Sequence, residues 1–184
     1  MAGGFFRRYF QDFTEDRRPG EDGRMHTSRV YRGFLYAPRL APRQRAARGV
    51  LLPLLTLGGG VLFILGAMQR AVCNTLWYTA LTTGASLIAL LLAVIPLFQC
   101  VLAPREQTIY QYRAGHKALV LLSRVCAGCM ALTALLALLG TLLAGDRALS
   151  PALLFALSAL CEAATGEIER RTHMNAKPTR THKC

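Results

Sequence analysis

The sequence has few charged residues, and long stretches of it have none. Only 17% of its 184 residues are charged, whereas 53% are hydrophobic. No charge lies between Arg48 and Arg70 or between Arg70 and Arg105. Between Arg124 and Glu162 there are only two charges. Because about 20 apolar residues let a helix cross the roughly 30 Å hydrocarbon layer, this pattern excludes a soluble domain and predicts a multi-pass membrane protein.

The sequence also lacks the motifs by which catalytic sites are recognised. It contains no phosphate-binding loop, no nucleophile elbow and no paired catalytic carboxylates. We therefore predict a protein that is not an enzyme, with no catalytic residues, no cofactor and no metal site. A cleavable signal peptide is not expected either, because the first 48 residues carry five acidic side chains and no apolar core.

Four apolar segments predict an all-α fold, a four-helix transmembrane bundle with a cytoplasmic amphipathic N-terminal segment. Lys and Arg number eleven before the first span, one, three and one in the connections, and five after the fourth span. The positive-inside rule then predicts a cell membrane protein with both termini in the cytoplasm. The predicted parts are a basic-aromatic segment (1–48), a membrane domain (49–166, spans near 50–68, 77–102, 118–143 and 149–166) and a basic cytoplasmic tail (167–184).

Aromatic side chains are predicted to anchor the protein at both membrane surfaces. Those near the N-terminus fall within about 140° of a helical wheel, as in a short helix that lies in the headgroup region or packs against the spans. Two more follow the first span, where an outer aromatic belt is expected. The net charge of +12 indicates contact with anionic headgroups and not with nucleic acid. The predicted anchors are Phe5, Phe6, Tyr9, Phe10, Phe13, Trp77 and Tyr78.

The rest of the N-terminal segment is rich in helix breakers. The stretch RRPGEDGR (17–24) predicts an exposed turn. The apolar and aromatic residues around Gly33 predict a small hairpin or an interfacial loop, and Pro38 and Pro42 argue against a long helix before Arg48.

Two charges lie inside the predicted spans at similar depth. Arg124 is about seven residues from the inner boundary on the third span, and Glu162 is about six residues from it on the fourth. Because an isolated charge in a membrane is costly, the two side chains are predicted to pair inside the bundle. In the alternative, Arg124 extends to the headgroups.

Cys126 and Cys129 form a Cys-x-x-Cys pair in the third span, within SRVCAGCM. Such a pair can serve thiol exchange or contribute half of a metal site, but exchange needs a thiolate, which an apolar environment disfavours. Only Cys73 is expected near the outer face, where a redox relay would need a second pair. Packing by small side chains is therefore the preferred interpretation.

The segments NTLWYTAL and LAPREQTIYQYR, joined by a Leu-rich span, are similar to segments of uncharacterised small four-span membrane proteins of Gram-positive bacteria. The similarity covers the middle third to half of the chain. It implies a bacterial cytoplasmic-membrane protein and no particular activity. The function predicted is that of an accessory or scaffold subunit with a protein partner or a second copy. The alternatives are a small transporter or channel-like subunit and a membrane thiol redox protein that uses Cys126 and Cys129.

Overall fold

Four long helices dominate the computed structural model, which describes residues 13–19, 25–31, 33–104, 106–145, 148–172 and 174–178. They run alternately up and down through short connections, so the chain forms a helical bundle. The helices are α1 (Pro42–Met68), α2 (Val72–Thr75), α3 (Trp77–Val101), α4 (Ile109–Tyr112), α5 (Ala118–Leu143) and α6 (Ser150–Arg170), with a π-helical turn at Arg113–Lys117 before α5.

The most extensive helix contact of the bundle is the one between α5 and α6. Helix α6 packs against α1 and α5, and α5 packs against α3, whereas α1 and α3 make far fewer contacts with each other. Small residues allow the close approach of α1 and α6. A Cβ at Gly59 would lie 3.0 Å from Cys161 Cβ, and one at Gly66 would lie 3.0 Å from Phe155 Cε1. Close backbone contact of this kind is how helices associate in lipid.

The outer surface of the bundle is apolar, and the interior carries many of its hydroxyl groups. Leu54, Leu81 and Leu91 are more than 60% exposed, whereas Thr56, Ser86 and Thr133 are fully buried. Four helices are long and apolar enough to cross a membrane: Pro42–Met68, Trp77–Val101, Ile109–Leu143 and Ser150–Arg170. The predicted bundle of four apolar helices is thus confirmed.

Helix α1 begins eight residues before the predicted span. Pro38 and Pro42 were expected to prevent a long helix before Arg48; the described residues up to Ala41 are not helical, but the first turns of α1, from Pro42, already precede Arg48. Proline is tolerated in the first helical turn because the N–H it lacks would have no partner inside the helix. The preceding Ala41 N–H donates to Gln44 Oε1 at 3.2 Å.

Two small antiparallel sheets accompany the helices. Strand β1 (Phe13–Pro19) pairs with β2 (Met25–Tyr31). Strand β3 (Phe34–Pro38) pairs with β4 (Met174–Pro178), which follows α6. The hairpin considered around Gly33 therefore does not form, because β2 and β3 each pair with another strand. We call the end of the bundle that carries β3 and β4 the strand end, and the other the far end.

Most of the predicted N-terminal anchor lies outside the described residues. This applies to Phe5, Phe6, Tyr9 and Phe10, while Phe13 is the first residue of β1. At the far end, Trp77 begins α3 and is 77% exposed, and its ring meets that of Tyr78 edge-on at 5.8 Å. The role of Trp77 and Tyr78 as interfacial anchors stays a prediction.

Candidate functional site: a buried polar line

One face of α6 carries four polar side chains that are completely buried. Ser158, Glu162, Thr165 and Glu169 each have 0% exposure. Their separations of four, three and four residues keep them on a single face of the helix. At 1.5 Å per residue the line is about 16 Å long, roughly half the thickness of the hydrocarbon layer.

At the strand end, the line terminates in an ion cluster centred on Glu169. Arg48 of α1 donates from Nε to Glu169 Oε2 at 2.8 Å and from Nη2 to the same oxygen at 2.6 Å. His116 Nδ1 forms a hydrogen bond to Glu169 Oε1, and the Cys100 thiol donates to that oxygen at 3.7 Å. A buried carboxylate is tolerated when it is paired and hydrogen-bonded in this way.

The π-helical turn before α5 brings His116 into this cluster. It buries Gly115 and His116, and a Cβ at Gly115 would lie only 3.3 Å from Cys100 Sγ. Aromatic stacking holds the imidazole from the other side: Tyr112 lies 5.2 Å from His116 and 4.7 Å from Tyr36 of β3, with nearly parallel rings. The loop before α4 is joined to β3 through Tyr36 N–H to Gln107 O at 2.8 Å and Gln107 N–H to Tyr36 O at 2.9 Å.

Hydroxyl groups occupy the positions between and beyond the two carboxylates. Thr165 Oγ1 lies 3.4 Å from Thr56 Oγ1 of α1. Ser158 Oγ donates to the Gly59 carbonyl at 2.7 Å and lies 3.0 Å from Met130 Sδ of α5. Interhelical hydrogen bonds of this kind contribute modestly to helix association in membranes.

Glu162 differs from Glu169 in having no cationic partner. Both of its carboxylate oxygens are buried and form no ion pair within the described part of the chain. The polar group that faces the carboxylate is the hydroxyl of Ser123 on α5, which is also fully buried. A charged residue inside a membrane-spanning segment is by default a candidate for function.

The structure does not bring Arg124 and Glu162 together as an ion pair. Arg124 lies on the exposed side of α5, next to the buried Ser123, and its Cγ passes over Gly166, where a Cβ would lie 3.6 Å away. Successive residues of a helix point about 100° apart, and here Ser123 is buried in the bundle while Arg124 is exposed.

A second group of buried hydroxyls lies between α3 and α5. Ser86 and Thr133 are hydrogen-bonded at 3.1 Å. Nearer the far end, Thr141 donates to the Ala137 carbonyl at 2.7 Å, and Thr79 Oγ1 is buried with no hydrogen-bond partner in the described residues. The polar line on α6 ends at Ser158. From about that depth, the second group of hydroxyls continues toward the far end.

The two thiols of the Cys-x-x-Cys pair are separate in the structure. Cys126 is fully buried with its sulfur 4.0 Å from Met130 Sδ, Cys129 is partly buried, and both are free. Among the described residues, no three His, Cys, Asp or Glu side chains are arranged to hold a metal ion.

Sequence reasoning missed Arg48, Cys100, His116 and Glu169 as parts of a site. It interpreted Arg48 as a boundary residue and Glu169 as part of the tail, because the fourth span was ended at residue 166. A signal was available: Glu162 and Glu169 are seven residues apart, with Thr165 between them, so a helix extended by four residues places all three on one face.

Together, the apolar exterior, the four long helices and the buried polar line define a multi-pass helical membrane protein. Comparison of the chain with protein-family models, with curated proteins and with solved structures found no match.

Proposed function

We propose that this protein is a small, non-enzymatic transporter that carries protons across the cytoplasmic membrane. The alternation of basic-rich and basic-poor segments supports an orientation with the strand end in the cytoplasm. The observation that carries the proposal is Glu162, a carboxylate buried in the bundle with no cationic partner among the described residues.

Glu162 has the chemistry of a transient proton acceptor. A carboxylate with a permanent cationic partner, such as Glu169 with Arg48, has its charge already compensated. Glu162 has no such compensation, so its side chain is available to take up a proton and to release it again. Thr165 and Ser158 lie one turn away on either side, and hydroxyl groups can both donate and accept along such a line.

The second hydroxyl group, between α3 and α5, supplies the other half of the proposed route. Two contacts separate the halves in this structure. Met130 Sδ lies against Ser158 Oγ, and Phe63 and Phe155 pack together at the far-end side of the line with ring centroids 5.0 Å apart. The route is therefore closed in this state, and transport requires Met130 and the two aromatic rings to move.

Proton flux into liposomes tests this function. Purified protein is reconstituted with a pH-sensitive dye inside the vesicles, and a potassium gradient with valinomycin drives proton entry. We expect entry faster than in protein-free vesicles, and we expect Glu162→Gln to abolish the difference.

The matched control is Glu167→Gln on the same helix. Glu167 lies on the outer side of α6, where it accepts hydrogen bonds from Arg170 and Arg171 at 2.7–2.8 Å. This variant should retain flux. Equal rates in protein-free vesicles and in vesicles with the wild-type protein would contradict the proposal, as would equal loss in both variants.

A specific surface feature favours the accessory-subunit function as a second candidate. A groove of about 290 Å³ runs between α5 and α6 toward the far end. Small side chains line it, including Ala131, Ala134, Ala152 and Ala156. Small residues on a lipid-facing surface permit close packing of a further helix, from a partner or from a second copy.

Co-purification in mild detergent distinguishes the two candidates. An accessory subunit should retain a partner at fixed stoichiometry, and Ala134→Phe, which fills the groove, should release it. A chain that remains free of partners and still moves protons supports the transporter alone.

A further inference from the structure

A cavity opens at the strand end, between the first turns of α1 and the end of α3. Its volume is about 170 Å³, well above the roughly 15 Å³ that holds one water molecule. Arg45, Arg48 and Gly49 line one side, and Cys100 and Gln107 line the other. It lies where α1 and α3 make few contacts, so it can be reached from the side of the bundle.

The cavity is basic. None of the described residues that line it is acidic. Arg45 Nε is shielded from solvent and has no hydrogen-bond partner among the residues that the structure describes. Arg48 uses Nε and Nη2 to bind Glu169, and those bonds do not involve its Nη1.

A buried guanidinium N–H without an acceptor indicates a missing anionic partner. Leaving such a group unpaired is costly, and guanidinium groups bind phosphate oxygens with short, charge-assisted hydrogen bonds. At the end of the membrane-spanning helices, phosphate is the abundant oxyanion, because lipid headgroups carry it at this depth.

We infer that this cavity binds a phosphate group, with Arg45 as its main donor and Arg48 as the second. The group can belong to a phospholipid headgroup that enters between α1 and α3, or to free phosphate from solution. The cavity shares Arg48 and Cys100 with the ion cluster around Glu169, but Glu162, on which the proposed proton transport rests, does not line it.

The test is native mass spectrometry and thermal unfolding of the detergent-purified full chain. Three ligands are compared: phosphatidylglycerol, diacylglycerol with the same acyl chains but no phosphate, and inorganic phosphate. We expect retention of phosphatidylglycerol over diacylglycerol if the source is lipid, and stabilisation by inorganic phosphate alone if it is free phosphate. No preference for either phosphate-bearing ligand over diacylglycerol overturns the inference.

Two variants locate the binding. Arg45→Gln should weaken it by about tenfold or more, whereas Arg43→Gln, an exposed arginine of the same helix outside the cavity, should not. If both variants weakened binding equally, the ligand would be held by non-specific electrostatic attraction, and the site would be refuted.

Gly49→Leu provides a check that does not alter charge. Gly49 lines the cavity and a Cβ there meets no atom within 4 Å, so a leucine should take up cavity volume and remove binding while the protein stays folded. Gly58→Leu on the same helix, where a Cβ also meets no atom within 4 Å, is the control and should bind normally. Normal binding by Gly49→Leu would place the ligand elsewhere and overturn the inference.

Discussion

Glu162 and Glu169 occupy the same face of α6, two turns apart, and both are completely buried. Their surroundings are opposite. The region around Glu169 supplies an arginine, a histidine and a thiol from three other elements, whereas Glu162 faces a single hydroxyl, that of Ser123, and no cation among the described residues. Burial alone therefore does not define the role of a carboxylate in this bundle. Its partners make Glu169 a structural residue, and their absence makes Glu162 a candidate for reversible proton binding.

The largest effect is expected from Glu169→Gln. The substitution keeps the shape but leaves Arg48 buried without a counter-charge and weakens the contact with His116. Removing one member of a buried ion pair costs about 3 kcal/mol or more, so the free energy of unfolding should fall by that amount. Reversible unfolding in mixed detergent micelles measures it. A loss no greater than that of Glu167→Gln would show that the cluster contributes little to stability.

An intermediate effect is expected midway between the two carboxylates, at Thr165. Thr165→Val retains the size of the side chain and removes its hydrogen bonds to Thr56 and to the Cys161 carbonyl. Interhelical hydrogen bonds in membranes contribute about 0.6 kcal/mol on average, and a loss of that order is expected. The same unfolding assay applies, with Thr56→Val as the comparison. If Thr165→Val lowered the free energy of unfolding as much as Glu169→Gln does, the two carboxylate regions would not differ in their contribution to stability.

The smallest effect on stability is expected from Glu162→Gln. No ion pair of the described chain is lost, and the amide oxygen can still accept from Ser123 Oγ, so the free energy of unfolding should stay within about 0.5 kcal/mol of wild type. The same variant should nevertheless abolish proton flux. A loss of stability comparable to that of Glu169→Gln would mean that Glu162 is structural, and the contrast between the two regions would then disappear.

The helices were predictable from the sequence because their signal is local. Charge-free stretches such as the one between Arg70 and Arg105 are long enough to specify a span without any knowledge of its neighbours. Helix ends were less predictable. Pro42 and Arg170 lie in polar sequence, where hydropathy no longer separates a helix from a loop, so both extensions were missed.

The site was less predictable because it depends on which helices meet. Arg48, His116 and Glu169 come from three distant parts of the chain, and nothing in their local sequence signals their convergence. Arg124 and Glu162 were matched by depth alone. Depth does not fix rotation about the helix axis, and the rotation of α5 turns Ser123, not Arg124, toward the interior.

The pairing of β3 with β4 constrains the order of assembly. The two strands are separated by all four long helices, and β4 is synthesised only after α6. Since a chain emerges from the ribosome in order, the sheet can form only after every helix has been made. A chain truncated before Met174 therefore has all four long helices but no partner strand for β3.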